Sequence, residues 1–363
     1  MSFRACLLVA VGCAGHAPKV TNASSTVYVR SDTDATTIVA PTVHLAGKVD
    51  HATLAATYTV DAWTGASVDV VTAATKAIHE KRNEVDATAG YEHGTVALSA
   101  NYRFSTEPDY LSHGLTLGVR TDLASKNTTI AFDLLGTDDR VGRSGDPVFS
   151  QPVRSLGGRL ALVQVLGRNT IAELGWQTTL VDGYQASPYR FVAIGDLGTC
   201  DSNAPFCIPE QVPGQRVRNA VTVRARRALG RSLSSGLEYR FYFDNWGMMS
   251  QAIQPDLAWR LSDAQTILLR YRYSTQSRVL FYRPRYFDVA TTDGYVTRDR
   301  KLSALLDNEL GAQYVHRIEN EDGDRVVVWG LRSTLSRVDY LAFVGLEHVW
   351  ALEATALLGV EFP

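Results

Sequence analysis

The sequence predicts an all-β protein, an antiparallel transmembrane β-barrel of about 16 strands, with about 14 or 18 inside the error of strand ends. Three observations lead there. Between residues 217 and 274, apolar and polar side chains alternate with period two. In residues 238–244, Tyr239, Phe241 and Phe243 fall on one side of an extended chain, and Glu238, Arg240, Tyr242 and Asp244 on the other. Residues 256–261 and 266–274 repeat the arrangement. The connections alternate as well: a tight turn at 229–232, a longer loop at 244–250, and a tight turn at 262–264. Finally, residues 352–362 alternate through Ala356, Leu358 and Val360 to an aromatic Phe362 at the penultimate position. That ending resembles the terminal strand by which outer-membrane barrels are recognised for insertion, with Pro363 as a departure.

From the N-terminus, residues 38–45 and 54–62 form the first expected pair, turning at 47–50, and a loop at 63–76 follows. Residues 85–91 turn at His93 and Gly94 into 96–104, where Val96, Leu98, Ala100, Tyr102 and Phe104 alternate with Ala97, Ser99, Asn101 and Arg103. Residues 115–121 turn at 124–127 into 129–135, and 156–165 turn at 166–169 into 171–180. A long loop at 181–215 precedes the four strands of 217–274. A second long loop, 276–301, leads to strands at 304–316, 325–335, 339–347 and 352–362. Segments of about 9–11 residues cross a bilayer when tilted. An even strand count puts both termini and the short turns on the periplasmic side and the long loops outside.

A length of 363 residues sets a prior of about two or three domains, but one unit repeats without a linker. The expectation is one barrel domain over 36–363, with a periplasmic segment at 18–35 before it. The chain is 45% hydrophobic with a mean hydropathy of −0.09, and no apolar run approaches the ~18 residues of a membrane helix. Alternation hides a barrel's membrane signal. The net charge is −2 and the arginines are spread singly along strands, which excludes a nucleic-acid partner.

Residues 1–17 read as a signal peptide: Arg4 is the only charge before an apolar stretch at 5–14, and small residues follow. Export to the cell outer membrane is expected. Cleavage after Gly15, His16 and Ala17 competes with a lipoprotein-like site, Ala10, Val11 and Gly12 before a lipidated Cys13. Cys6 and Cys13 lie in this segment, which leaves Cys200 and Cys207 in the longest loop. A disulfide between them is expected in an oxidising compartment. The spacing is not Cys-x-x-Cys and the loop holds no His, which argues against a redox or metal pair.

The order of several short motifs is also informative. Trp63 to Val71, Asp109 to Gly114, Asn127 to Thr129, Asp138 to Arg140, Gly183 to Arg190 and Tyr239 to Gly247 together resemble a family of exported bacterial proteins known as domain of unknown function 3570. The resemblance covers most of the mature chain and implies an outer-membrane β-barrel. It implies no activity and no catalytic residues, since the family is defined without one.

Chemistry is therefore sought in the residues themselves. With the aromatic faces toward lipid, the inward set gathers Arg218, Arg224 and Arg226, then Glu238 and Arg240, Asp256 and Arg260, Arg270 and Arg272, and finally Asp307 and Glu309. A basic arc beside an acidic one creates a transverse field and biases which ions pass. The competing reading is cross-strand neutralisation that merely fills a wet interior. The sequence thus suggests a passive pore for small ions or solutes, with a non-conducting adhesion or assembly scaffold acting through the long loops as the alternative. Outer-membrane lipids and the barrel assembly machinery are the other expected partners, and no cofactor is expected. An enzyme is not expected: Ser112 and His113 are strand neighbours and point to opposite faces, residues 142–145 lack the Gly-x-Ser-x-Gly spacing, and His79 with Glu80 lacks a second His. Asp32 with Asp34, and the acidic turn 319–324, offer oxygen ligands without the distal Glu of a calcium loop. Tyr239, Tyr271, Tyr273, Trp176, Trp259 and Trp329 suit the aromatic girdles at the bilayer interfaces.

Overall fold

The computed structural model describes residues 19–65, 78–195, 200 and 206–362. The strands β1 (Lys19–Asp32), β2 (Thr36–Val49), β3 (Ala52–Gly65), β4 (Ile78–His93) and β5 (Val96–Thr106) come first. They are followed by β6 (Tyr110–Leu123), β7 (Thr128–Arg143), β8 (Asp146–Gly167) and β9 (Thr170–Gly183). Two short strands, β10 (Phe191–Ala193) and β11 (Cys207–Pro209), lie in the next connection. After it come β12 (Gln215–Ala228), β13 (Leu233–Asp244), β14 (Met249–Arg260), β15 (Gln265–Gln276), β16 (Leu305–Glu319), β17 (Val326–Tyr340) and β18 (His348–Glu361). Barrel strands pair antiparallel in sequence order, β9 passes to β12, and β18 returns to β1, so that 16 strands close on themselves. β10 and β11 form a separate ribbon. Closure satisfies the backbone of every wall strand, as a membrane interior requires. The wall strands run from 11 residues in β5 to 22 in β8, long enough to cross a bilayer.

Alternation places the apolar residues outside. Leu237, Tyr239 and Phe243 on β13 and Leu257 and Trp259 on β14 face outward and are between 38% and 51% exposed, while their polar neighbours line the lumen. Outer tyrosines satisfy outer amides near the long-loop end: Tyr58 donates to Asn83, Tyr239 to Gln251 and Tyr271 to Asn308, at 2.8 to 3.0 Å. Tyr273, Trp176 and Trp329 share that outer face, Trp329 packing on Tyr314 and His316. Tyr242 points inward and donates to Asp244. The most deeply buried side chains lie elsewhere, among the connections. Val192, Val279 and Val296 are fully buried, and Tyr282 and Tyr286 nearly so.

The strand count agrees with the expectation through two offsetting differences. Residues expected in a periplasmic segment at 18–35 supply β1, which is part of the wall and hydrogen-bonds β18 from Asn22↔Glu361 to Asp32↔Ala351. Its outward side offers Ala23, Ser25, Val27 and Val29, so its apolar signal is muted. The pairing between first and last strands fixes it instead. In the other direction, the expected strands 325–335 and 339–347 are one strand, β17, followed by a loop. The polar run at Ser336 and Arg337 does not turn, because Thr334 and Ser336 pack inward and the Arg337 guanidinium lies 5.4 Å over the Trp350 ring. The turn expected at 124–127 is present, with left-handed backbone at Ala124, Ser125 and Lys126. The signal segment with Cys13 lies outside the described residues.

Candidate functional site

β12 to β15 carry most of the expected lumen cluster, and much of it is paired. Arg224 bridges Glu238 at 2.5 Å and Glu173 of β9 at 3.2 Å, and Glu173 also meets Arg159 of β8 at 3.1 Å. Arg226 reaches across β13 to Asp256 at 2.5 Å. The register sets Gly236 between them, and a Cβ there would stand 2.2 Å from Asp256 Oδ2. Arg272 pairs with Glu309 at 3.1 Å. Asp307 receives Ser274 Oγ at 3.4 Å, while its Oδ1 is buried without a partner. Arg260 departs from the cluster: it donates to the Arg231 carbonyl at 2.7 Å and stays at the tight turn beside Asp263.

Three of the expected arginines have no carboxylate partner among the described residues. Arg218 has a buried Nε without a hydrogen bond. Arg270 lies against Gly311, where a Cβ would stand 3.6 Å from its Nε and Nη2. Arg240 borders a recess of about 230 Å³ with Arg159, Glu173, Gln177, Thr222 and Arg224. Neutralisation is therefore real but incomplete along this arc.

The acidic counterpart is larger than expected and lies elsewhere. Asp307 and Glu309 stand beside the basic arc, but below the rim β3 to β7 carry Asp61, Glu84, Asp86, Asp122, Asp133 and Asp139 inward against Arg82, Arg103 and Arg120. In the closed strand order β3 to β5 stand nearly opposite β12 to β15, while β7 is parted from β12 only by β8 and β9. Asp139 accepts from the hydroxyls of Tyr110, Ser112 and Thr137, and no cation contacts Asp133 among the described residues. Just beyond β5, burial pushes the Glu107 carboxyl above its ordinary range; Arg82 opposes this, and Asp109, Asp61 and Glu84 add to it. The same alternation that revealed Arg240 exposes this acidic set, and Arg159 and Glu173, when applied to the earlier strands.

The mouth at the long-loop end is knit by the connections themselves. The described parts of 184–214 pack against 277–304: Gln211 pairs with Val296, Ile194 with Tyr286, and Arg190 with Glu210 at 2.9 Å and Asp299 at 3.6 Å. The Tyr286 hydroxyl sits 2.9 and 3.2 Å from the carbonyls of Phe281 and Thr297 and accepts from the N–H groups of Arg283 and Thr297. Burial pushes its ionisation upward. Trp246, Met248, Val279, Phe281, Tyr282, Leu302 and Phe343 form a second apolar cluster that joins the β13–β14 and β17–β18 connections to the same body. Arg216 pairs with buried Asp244 and stacks 4.2 Å over Trp246. Further ties reach round the rim: Tyr189 donates to Asp109 and accepts from the Ser144 N–H, and Arg300 pairs with Asp34. Cys200 and Cys207 are disulfide-bonded, with Cα atoms 5.6 Å apart. The disulfide is the pair expected from the sequence; the packing around it was not visible there, where most of these residues read as loops.

The remaining candidates are occupied locally. Ser112 bonds Asp139 inside while His113 meets Tyr102 outside, so they form no dyad. Asp32 caps the N–H groups of Asp34 and Thr36, and Asn320 with Asp324 closes its own turn. No group of three candidate metal ligands occurs among the described residues.

A closed, outward-apolar barrel with a charged lumen is an outer-membrane β-barrel by fold. The chain belongs to the family described as Protein of unknown function (DUF3570), whose model matches residues 72–155 and 150–328. Among solved structures, it is similar to one described as a bacterial polysaccharide outer membrane secretin, at 11% identity and TM-score 0.52, covering 96% of this chain and all of that one. It is also similar to CdiB from Acinetobacter baumannii, at 10% identity and TM-score 0.50, covering 94% of this chain and 60% of that one. These likenesses concern the fold. No curated protein matches the sequence.

Proposed function

We propose that this protein is a passive outer-membrane pore for small ions or solutes, exported by its first 17 residues and inserted as one barrel from β1 onward. The observation that carries the reading is the lumen wall, in which Arg218, Arg240 and Arg270 have no carboxylate partner among the described residues and share the lumen with an acidic arc. An interior that only filled itself would pair these charges, since a desolvated unpaired charge is costly. A water-filled lumen solvates them and makes them available to solutes. Outer-membrane lipids contact the apolar face, and the barrel assembly machinery is the proposed inserting partner. No catalytic role is assigned.

The packed rim favours a second reading, a scaffold that presents a rigid surface. The two diverge in single-channel recordings of refolded protein in a planar bilayer. A pore gives discrete conductance steps, and replacing Arg218, Arg240 and Arg270 by Gln shifts the reversal potential in a salt gradient toward cation preference. A folded, heat-modifiable barrel that never conducts defeats the pore and leaves the scaffold.

A further inference from the structure

We propose that the recess beside Arg240 is a binding subsite for the carboxylate of a small zwitterionic solute, whose ammonium end is drawn toward the acidic wall of β3 to β7. The inference rests on the pore reading for its biological sense, but the subsite itself is a property of the wall.

The recess has a specific construction. Gly175, Ala220 and Thr222 form its floor, and their small side chains leave about 230 Å³ of space inside the wall. The register places Gly175 opposite Thr222 and Thr222 opposite Arg240, so the guanidinium stands over a neighbour that cannot neutralise it. Arg224 and Arg159 are tied to Glu173, and Arg224 also to Glu238. Arg240 faces only Thr222 on β12 and Ala252 on β14. A guanidinium with no carboxylate partner among the described residues, beside a hydroxyl and the Gln177 amide, is a donor set suited to a carboxylate, which takes two parallel N–H bonds from one arginine. A phosphate would suit the donors equally, but the acidic strands that begin beside the recess select against it. Asp133 of β7, opposite Arg159 beside the recess, and Asp139 on that same strand, with Asp61, Glu84 and Asp86 farther round the wall, repel a second negative charge and attract a positive one.

Charge separation of this kind acts differently on ions and dipoles. The two arcs largely offset each other, so the wall has little preference for a simple cation or anion. Between them they generate a field, running from the recess toward β7 and on to β3, that aligns a molecule carrying both charges. The predicted ligand class is therefore a small zwitterion such as an amino acid, in preference to an inorganic ion or a sugar.

Three matched probes test this: alanine, carrying both charges; propionate, carrying the carboxylate alone; and lactamide, a neutral isostere of alanine. Saturation-transfer NMR on the refolded, detergent-solubilised barrel reads binding whether or not the protein conducts. The expected order of affinity is alanine, then propionate, then lactamide, with Arg240→Gln weakening alanine by about tenfold and Arg240→Lys by less. Replacing Asp133 and Asp139 by Asn should bring alanine down to the level of propionate. Equal binding of lactamide and alanine would overturn the subsite. Equal binding of propionate and alanine by the unaltered protein would overturn the role of the acidic wall. Should Arg240→Gln not fold, Thr222→Val retains the charge and removes the neighbouring hydroxyl, and an unchanged alanine affinity in it counts against the recess. Channel recordings with the same probes are separate: binding without conductance defeats the pore and spares the subsite.

Discussion

Gly236 is where a single side chain matters most to the lumen, because the Arg226–Asp256 bridge passes directly over it. A methyl group there would meet Asp256 Oδ2 at 2.2 Å and Arg226 Nη2 at 2.8 Å, closer than real Cβ contacts allow. Gly236→Ala should therefore push the bridge aside and cost about 1–3 kcal/mol by overpacking, measured as a lower urea midpoint in reversible refolding into vesicles. Part of the strain can relax, because the carboxylate and guanidinium are flexible chain ends, so the low side of that range is the natural expectation. At this scale the sequence was informative about direction but not about partnership. Alternation correctly aimed Arg224, Arg226 and Arg272 inward, yet which carboxylate each one meets depends on register across neighbouring strands, and register is not written in any single strand. Arg260 shows the limit from the other side: its parity is inward, but its position at the strand end hands it to the turn.

Among the elements, the two long connections behave least as their sequences suggested. Their apolar residues, Val192, Val279, Tyr282, Tyr286 and Val296, are spaced irregularly and follow neither a strand nor a helix period, so periodicity could not find them. They form a core because two distant stretches meet. Tyr286 is the hub of that meeting, serving four backbone groups with one hydroxyl. Tyr286→Phe keeps the ring and removes the hydroxyl, and should destabilise the loop body by about 1–3 kcal/mol through the unmet backbone groups. Faster hydrogen exchange at Arg283 and Thr297, with unchanged protection in β13 and β14, is the expected result. Loss of protection throughout the wall would show that loops and barrel unfold as one unit. β1 and β17 failed for a related reason, since small polar residues dominate β1 and interrupt the greasy rhythm of β17, while pairing with neighbours decides both.

At the scale of the whole molecule, the architecture was legible and the closure was not. Sixteen strands, short turns at one end and long loops at the other follow from alternation and turn spacing, but the identity of the strand that seals the ring required β1 to be seen against β18. Deleting residues 19–32 leaves β2 and β18 with open edges in a medium that cannot hydrogen-bond them. Such a chain should fail to yield a heat-modifiable band on refolding, whereas a detachable periplasmic segment could be removed with the barrel intact. The packed rim adds a consequence for the order of events during assembly. Its ties include the bridge from Asp34 on the first hairpin to Arg300 in the β15–β16 connection, residues far apart in sequence that the β1–β18 seam brings together. Loop closure over such separations is slow and comes late, so the Asp34–Arg300 bridge forms as a latch behind the last strand. That bridge then marks completion: it can form only when the first strand has found the last.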